Sequence, residues 1–169
     1  MGVELDSRYQ VEAYEAIKAG IKEKNSAGIV LPTGTGKTYL ALKLIEDNLN
    51  KKQILYVSPS PTVNVEIKKS ITEIYSKEEA KQILSKIKFT TYNGLYKRYS
   101  TQIEDMQEYN SDIIIFDEIH RSGAEKWKNA VNYLLENNKN ASVLGMTATP
   151  IRNDGHNMIE ERCESADYE

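Results

Sequence analysis

Leu31-Pro32-Thr33-Gly34-Thr35-Gly36-Lys37-Thr38 joins a short aliphatic run, Ala27–Leu31, to a segment of helical length, Lys37–Leu49. Gly34 and Gly36 let the backbone turn so that successive N–H groups point inward, and the helix that follows adds its positive end at the same place. A strand, a glycine loop and a helix in this order form a phosphate cradle. Lys37 is placed to reach the outer phosphates of a nucleotide, and the Thr38 hydroxyl to ligate a magnesium ion. Leu31 stands where the general G-x-x-x-x-G-K-T pattern has its first glycine.

Outward from this loop the chain alternates. Further short runs rich in aliphatic and β-branched residues fall at Gln53–Val57, Ile87–Thr91, Asp112–Phe116 and Ser142–Met146. Between them lie helix-length segments at Val63–Tyr75, Glu78–Ser85 and Ala124–Leu135, and a helix over Tyr9–Lys24 with Val11, Tyr14, Ile17 and Ile21 on one stripe leads the domain. This alternation predicts an α/β fold of three layers, a mostly parallel central sheet flanked by helices on both faces. Such sheets bind ligands at the carboxyl ends of their strands. The unusual residues fall there: 32–38, 58–62, 91–94, 117–120 and 147–150 each follow a strand.

Ile113 to Phe116 deliver Asp117 and Glu118 to the end of a buried strand. Alone, the pair could be solvated acids at a strand terminus. Eighty residues after Lys37 in the sequence, they suit magnesium-bound ATP, which supplies the cationic compensation that buried carboxylates need. Asp117 would hold the magnesium, and Glu118 would orient and deprotonate the attacking water. His120 suits a hydrogen-bonding role at the edge of the same site, since the chain's only other histidine, His156, gives it no partner for a metal site.

Composition sets the outer limits. The 169 residues are 40% hydrophobic and 28% charged, enough for one full-sized core. No apolar run is long enough to span a membrane, and the stretch from Met1 to Gln10 is too polar for a signal sequence, so a soluble, cytoplasmic protein without a membrane partner is predicted. The lone Cys163 excludes disulfide frameworks and cysteine zinc sites within the chain. Net charge is −3, unevenly spread: residues 1–50 carry 6 basic and 7 acidic side chains, 51–100 carry 10 and 4, and 101–169 carry 6 and 14. The middle third could face a polyanion or be a solvated lysine-rich face, and charge alone does not decide between them. Tyr92, Tyr96 and Tyr99 at helical steps suit either base stacking or core packing, with packing the stronger reading, as it is for Trp127.

Pro-Thr-Gly-Thr-Gly-Lys-Thr at 32–38, Asp-Glu-Ile-His at 117–120 and Thr-Ala-Thr-Pro at 147–150, in this order on successive strand ends, resemble motifs I, II and III of superfamily 2 helicases, near the DEAD/DEAH-box and type III restriction subunit groups. Ile119 replaces the usual alanine of the DEAH form. The resemblance spans roughly residues 5–155 and implies an N-terminal RecA-like ATP-binding domain over 1–155, with 156–169 a tail or the start of a connection. It implies ATP and Mg2+ as cofactors, with Pro32, Thr33, Gly34, Thr35, Gly36, Lys37 and Thr38 around the phosphates, Thr38 and Asp117 at the metal, and Glu118 and His120 with Lys37 and Asp117 in catalysis. Gln10 takes the place of the adenine-reading glutamine of the Q motif, with Arg8 and Tyr9 near the base; without the resemblance, Gln10 is a polar residue at a helix start.

Thr147 and Thr149 match the motif that links nucleotide state to strand movement, with His120 as their expected partner across the site. Ser58–Thr62 is similar to motif Ia and Thr90–Gly94 to motif Ib, which implies nucleic-acid backbone contacts at Pro59, Thr62, Thr91, Asn93 and Gly94. Such contacts use hydroxyls, N–H groups and helix ends, so an acidic protein can make them. The restriction-type resemblance favours DNA over RNA. Family motors close two RecA-like domains on ATP. The sequence after Pro150 is too short for the second, which is expected elsewhere in a longer protein or in a partner. Strand separation, translocation on duplex DNA and non-catalytic nucleotide-dependent binding share these motifs. A GTPase or kinase would want an Asn-Lys-x-Asp signature or an arginine-bearing lid, and neither is present.

Overall fold

The computed structural model describes residues 2–3, 5, 8–31, 36–119 and 124–147, together with the backbone of a strand at 165–167. Helix α1 (Arg8–Lys24) leads into β1 (Ser26–Val30), α2 (Lys37–Glu46), β2 (Ile54–Ser58), α3 (Pro61–Ile74), α4 (Lys77–Lys86) and β3 (Ile87–Thr91). Helix α5 (Tyr92–Thr101), a 3-10 segment (Ile103–Tyr109), β4 (Ile113–Asp117), α6 (Glu125–Glu136), β5 (Ser142–Thr147) and β6 (Ser165–Asp167) follow. The strands form one sheet in the order β3-β2-β4-β5-β1-β6, and each pairing is parallel.

Helices cover both faces, as the period-two pattern of the strands requires. Along β4, Ile113 and Ile115 point into one core with Ile17, Leu40 and Ile71 from α1, α2 and α3. Ile114 and Phe116 point into the other, with Leu95 and Leu134 from α5 and α6. All four are fully or almost fully buried, so a strand that is aliphatic without interruption is a central strand of a three-layer sandwich.

The helix starts are chemically specified. Ser60 accepts from the Val63 N–H with Pro61 in the first turn, Ser76 and Glu79 form a reciprocal capping box, and the Thr91 hydroxyl accepts from the Gly94 N–H at 2.9 Å. The last of these places residues 91–94: Thr91 closes β3 and Tyr92 to Gly94 are the first turn of α5. Thr91 caps that turn while Tyr92 and Leu95 bury one face of it. Within the expected tail, Ser165–Asp167 pairs with β1; three residues are too few to show a periodicity in sequence.

Candidate functional site

The parallel register gathers the candidate residues at one edge of the sheet. Strand β5 lies between β1 and β4, so the end of the phosphate-loop strand and the acidic strand end are two strands apart. Val30 pairs with Thr147 and Met146 with Asp117. The Leu31 N–H donates to the Thr147 carbonyl at 2.9 Å, which ties the start of the loop to the end of β5. Thr147 is fully buried.

Gly36 adopts φ 88°, in the left-handed region, and so delivers Lys37 and Thr38 as the first two residues of α2. A Cβ on Gly36 would fall 2.0 Å from Nε2 of Gln10. The Gln10 side chain therefore lies against Gly36. Arg8 does not turn towards it. Its Nε donates to Glu12 at 2.8 Å on the exposed side of α1.

Lys37 reaches across to the acidic pair. Its ammonium stands 2.8 Å from Asp117 Oδ1 and donates to Glu118 Oε1. Burial pushes this ammonium towards its neutral form, but the carboxylates of Asp117 and Glu118 outweigh burial and raise its pKa above the ordinary lysine value. Glu118 holds φ 53°, the left-handed conformation that few residues other than glycine adopt and that concentrates at functional turns. Ile119 then returns to the core, 2% exposed, over Gly145 of β5. A Cβ on Gly145 would lie 2.1 Å from Ile119 Cδ1. The isoleucine in place of the expected alanine is accommodated by the missing side chain opposite it.

Asp117 is only 5% exposed and is held from both faces of the sheet. The Tyr56 hydroxyl on β2 donates to Oδ2 at 2.9 Å, and the Tyr92 hydroxyl at the start of α5 donates to the main-chain carbonyl at 2.9 Å. Among the described residues Oδ1 meets no hydrogen-bond donor of full geometry, and the Lys37 ammonium compensates its charge from 2.8 Å. A buried carboxylate oxygen in that state suits a metal ion or a metal-bound water. Asp117, with the hydroxyl of Thr38 on α2, could hold a magnesium ion. Among the described residues no group of three or more carboxylates, histidines or cysteines gathers for a metal.

Neither tyrosine was singled out as a partner of Asp117 by sequence. The available signal was Tyr56 itself, a hydroxyl-bearing ring within an otherwise aliphatic strand. Tyr92 is fully buried and stacks on Phe116 and Trp127, so packing prevails over base stacking at this position. Pro32, Thr33, Gly34, Thr35, His120 and Thr149 lie outside the described residues.

The motif Ia-like and motif Ib-like segments also meet. Ser58 pairs with Thr91 across β2 and β3, and the Asn64 side chain on α3 donates to the Thr90 carbonyl at 3.2 Å. The N-termini of α3 and α5 therefore emerge side by side, with Thr62 and Asn93 exposed. The basic charge does not sit there alone. Lys68, Lys86 and Lys88 line a groove at the amino end of β3, and Lys88 and Arg98 are paired with Glu108. Among the described residues no helix is long and apolar enough to cross a membrane.

Relatives share this plan. The chain is 32% identical over 146 residues to a DNA 3'-5' translocase of Sulfurisphaera tokodaii, covering 83% of this chain and 30% of the relative. It is 27% identical over 157 residues to a type I restriction enzyme endonuclease subunit of Escherichia coli, covering 84% and 19%. The SWI2/SNF2 ATPase core of Sulfolobus solfataricus, solved with double-stranded DNA, shares the fold at a TM-score of 0.67 and 18% identity over 90% of this chain and 34% of that one. The chain thus spans less than a third of the length of both curated relatives. Residues 5–152 match the type III restriction enzyme, res subunit family, and the chain belongs to that family as a superfamily 2 helicase N-terminal domain of RecA-like fold.

Proposed function

We propose that this domain binds magnesium-ATP between the phosphate loop and the Asp117-Glu118 pair, and couples its hydrolysis to movement on nucleic acid. One observation carries the reading: the Lys37 ammonium sits between Asp117 and Glu118 at the carboxyl ends of a parallel sheet. In this arrangement a cationic group and two carboxylates meet directly at the start of the helix that follows Gly36.

On nucleotide binding Lys37 would turn from the carboxylates to the β- and γ-phosphates, and Thr38 with Asp117 would hold the magnesium. The bound ion supplies charge neutralisation on the phosphates. Glu118, freed of its lysine partner, accepts a proton from the attacking water. Pro32 to Thr35 with Gly36 line the phosphates, Gln10 reads the base, and Thr147 and Thr149 with His120 pass the state of the site to the strand-binding surface. The domain assignment to 1–155 and a second RecA-like domain, in the same protein or a partner, belong to the same reading. That second domain would provide the arginines that stabilise the transition-state charge. The 169-residue chain alone is then expected to bind ATP weakly, to turn it over slowly and not to unwind duplexes.

Pro59 and Thr62 at the start of α3, and Thr91, Asn93 and Gly94 at the start of α5, form the proposed nucleic-acid contact. Two adjacent helix N-termini present N–H groups and positive dipole ends to phosphates. DNA is favoured over RNA because one curated relative is named a DNA translocase and another a restriction enzyme subunit. The first of these names favours translocation over strand separation.

The test is ATP turnover by the full-length protein with single-stranded DNA, double-stranded DNA and RNA at stated salt, in wild type and Glu118→Gln. The variant is expected to keep nucleotide affinity and lose turnover by two or more orders of magnitude, of the size seen when a general base is removed. A wild type that binds ATP and never hydrolyses it would leave a nucleotide-dependent binding module instead.

A further inference from the structure

This inference rests on the functional reading above and concerns how its two sites communicate. Two buried hydroxyls converge on Asp117 from opposite faces of the sheet. A phenylalanine would fill either position with the same ring and no polar atom. Each hydroxyl is satisfied in the core by Asp117, which accepts from it. The rings cannot swing freely. Tyr56 is fixed against Phe89 at 5.8 Å between centroids, and Tyr92 stacks between Phe116 at 6.2 Å and Trp127 at 5.6 Å.

Each tyrosine stands in or beside one of the proposed nucleic-acid segments. Tyr56 precedes Ser58 by two residues on β2, and the Ser58 hydroxyl donates to the Ser60 carbonyl at 2.9 Å, at the N-cap of α3. Tyr92 stands between Thr91 and Asn93. A phosphate that draws on the α3 N-terminus pulls on β2 and, through Tyr56, on Asp117 Oδ2. One that draws on the α5 N-terminus pulls, through Tyr92, on the Asp117 backbone. Because Oδ2 and the main chain are both held, a shift of either strand end changes where Oδ1 points in the nucleotide site.

We propose that Tyr56 and Tyr92 are positioning residues that couple nucleic-acid contact at the starts of α3 and α5 to the orientation of the Asp117 carboxylate. Coupling of binding is reciprocal, so it is readable without any turnover: nucleotide must change nucleic-acid affinity by the same factor by which nucleic acid changes nucleotide affinity.

The experiment measures the affinity of the full-length protein for a fluorescent single-stranded oligonucleotide by anisotropy, with and without a saturating non-hydrolysable ATP analogue and magnesium. The ratio of the two constants is the coupling factor. Tyr56→Phe and Tyr92→Phe are each expected to bring it towards one by roughly fivefold, the factor that loss of one buried hydrogen bond represents, and the double variant to abolish it. Phe89→Leu, which disturbs the packing around Tyr56 and leaves both hydroxyls, is expected to keep it. Should Tyr56→Phe fail to fold, judged by its urea midpoint, Tyr92→Phe carries the test alone, because its acceptor is a main-chain carbonyl outside the ionised carboxylate. A wild type that binds both ligands with a coupling factor of one, or tyrosine variants that keep the wild-type factor within twofold, would overturn the inference and leave the functional reading standing. A wild type that binds neither ligand would overturn the functional reading itself.

Discussion

Replacing Gly145 by alanine should strain the turn at Glu118 and Ile119 from beneath, and the strain can be worked from the packing. The added Cβ would stand 2.1 Å from Ile119 Cδ1, 3.3 Å from Cγ1 and 3.4 Å from Cβ. Carbon atoms settle at about 3.5–4.0 Å, so the terminal methyl must retreat by about 1.5 Å into a core where Ile119 is 2% exposed. Overpacking of this kind costs about 1–3 kcal/mol. The lower chain entropy of alanine in the unfolded state returns about 0.4–1 kcal/mol, leaving a net loss between about zero and about 2.6 kcal/mol. Ile119→Ala alone leaves a cavity and should cost about 2–5 kcal/mol. The double variant Gly145→Ala/Ile119→Ala removes the clash and partly fills the cavity, so its loss should be smaller than the sum by about 1–2 kcal/mol. Urea unfolding of the four proteins gives this coupling directly. Because Glu118 adjoins Ile119 and holds φ 53°, Gly145→Ala should also weaken nucleotide binding while the double variant regains much of it. Additive losses across the cycle would show that Ile119 does not rest on Gly145, and the account of the turn would fail.

Three further outcomes follow from the same structure. Gly36→Ala combines a left-handed backbone, which costs a non-glycine residue about 1–2 kcal/mol, with displacement of Gln10 from the loop. Nucleotide affinity should fall more than tenfold in equilibrium binding, and an unchanged affinity would remove Gln10 and Gly36 from the site. Alkaline unfolding should reveal Tyr56. Its folded pKa is raised, so its contribution is fully present below the unfolded tyrosine value of 10.0 and is lost as pH climbs through the folded value. Lys37, also raised, acts in the same direction at higher pH. Wild-type stability should therefore decline above about pH 10 by up to about 1.4 kcal/mol per pH unit for each such group, and Tyr56→Phe should decline less steeply. Thr91→Val removes the cap of α5 and should cost about 1 kcal/mol in urea unfolding. It should also lower oligonucleotide affinity, whereas the same loss of stability from a remote cap, Ser76→Ala on α4, should leave that affinity unchanged.

The strand ends were readable in sequence because their signals are local. A glycine loop after an aliphatic run, and two acids after Ile113 to Phe116, mark strand termini whatever the neighbours do. The parallel order follows from crossover length, and the structure places Lys37 beside Asp117 and Glu118 as that order requires. What sequence could not give was the partner of each buried polar atom, because those partners lie far apart along the chain. Tyr56 meets Asp117 across 61 positions, and Ile119 meets Gly145 from a neighbouring strand. At 91–94 the motif resemblance assigned no element to threonine, asparagine and glycine. The same three residue types begin a helix once Thr91 caps it and Tyr92 has a core to enter.

The placement of charge is a second case in which three dimensions correct one. In sequence the basic third contains both proposed nucleic-acid segments, so charge and motif reinforce each other. In the fold, Lys68, Lys86 and Lys88 gather at the amino end of β3, while Thr62 and Asn93 stand at the carboxyl ends of β2 and β3. Four residues of extended chain, roughly 13 Å, separate the two ends of β3, more than a Debye length of about 8 Å at physiological salt. Exposed lysines at that distance are largely screened from a phosphate at the helix starts. The strand-end contact must then rest on N–H groups and hydroxyls, which release few counterions. A shallow dependence of oligonucleotide affinity on salt, little changed by Lys86→Gln and Lys88→Gln, is the expected result. A steep dependence that those substitutions flatten would move the nucleic acid to the lysine groove and away from the strand ends.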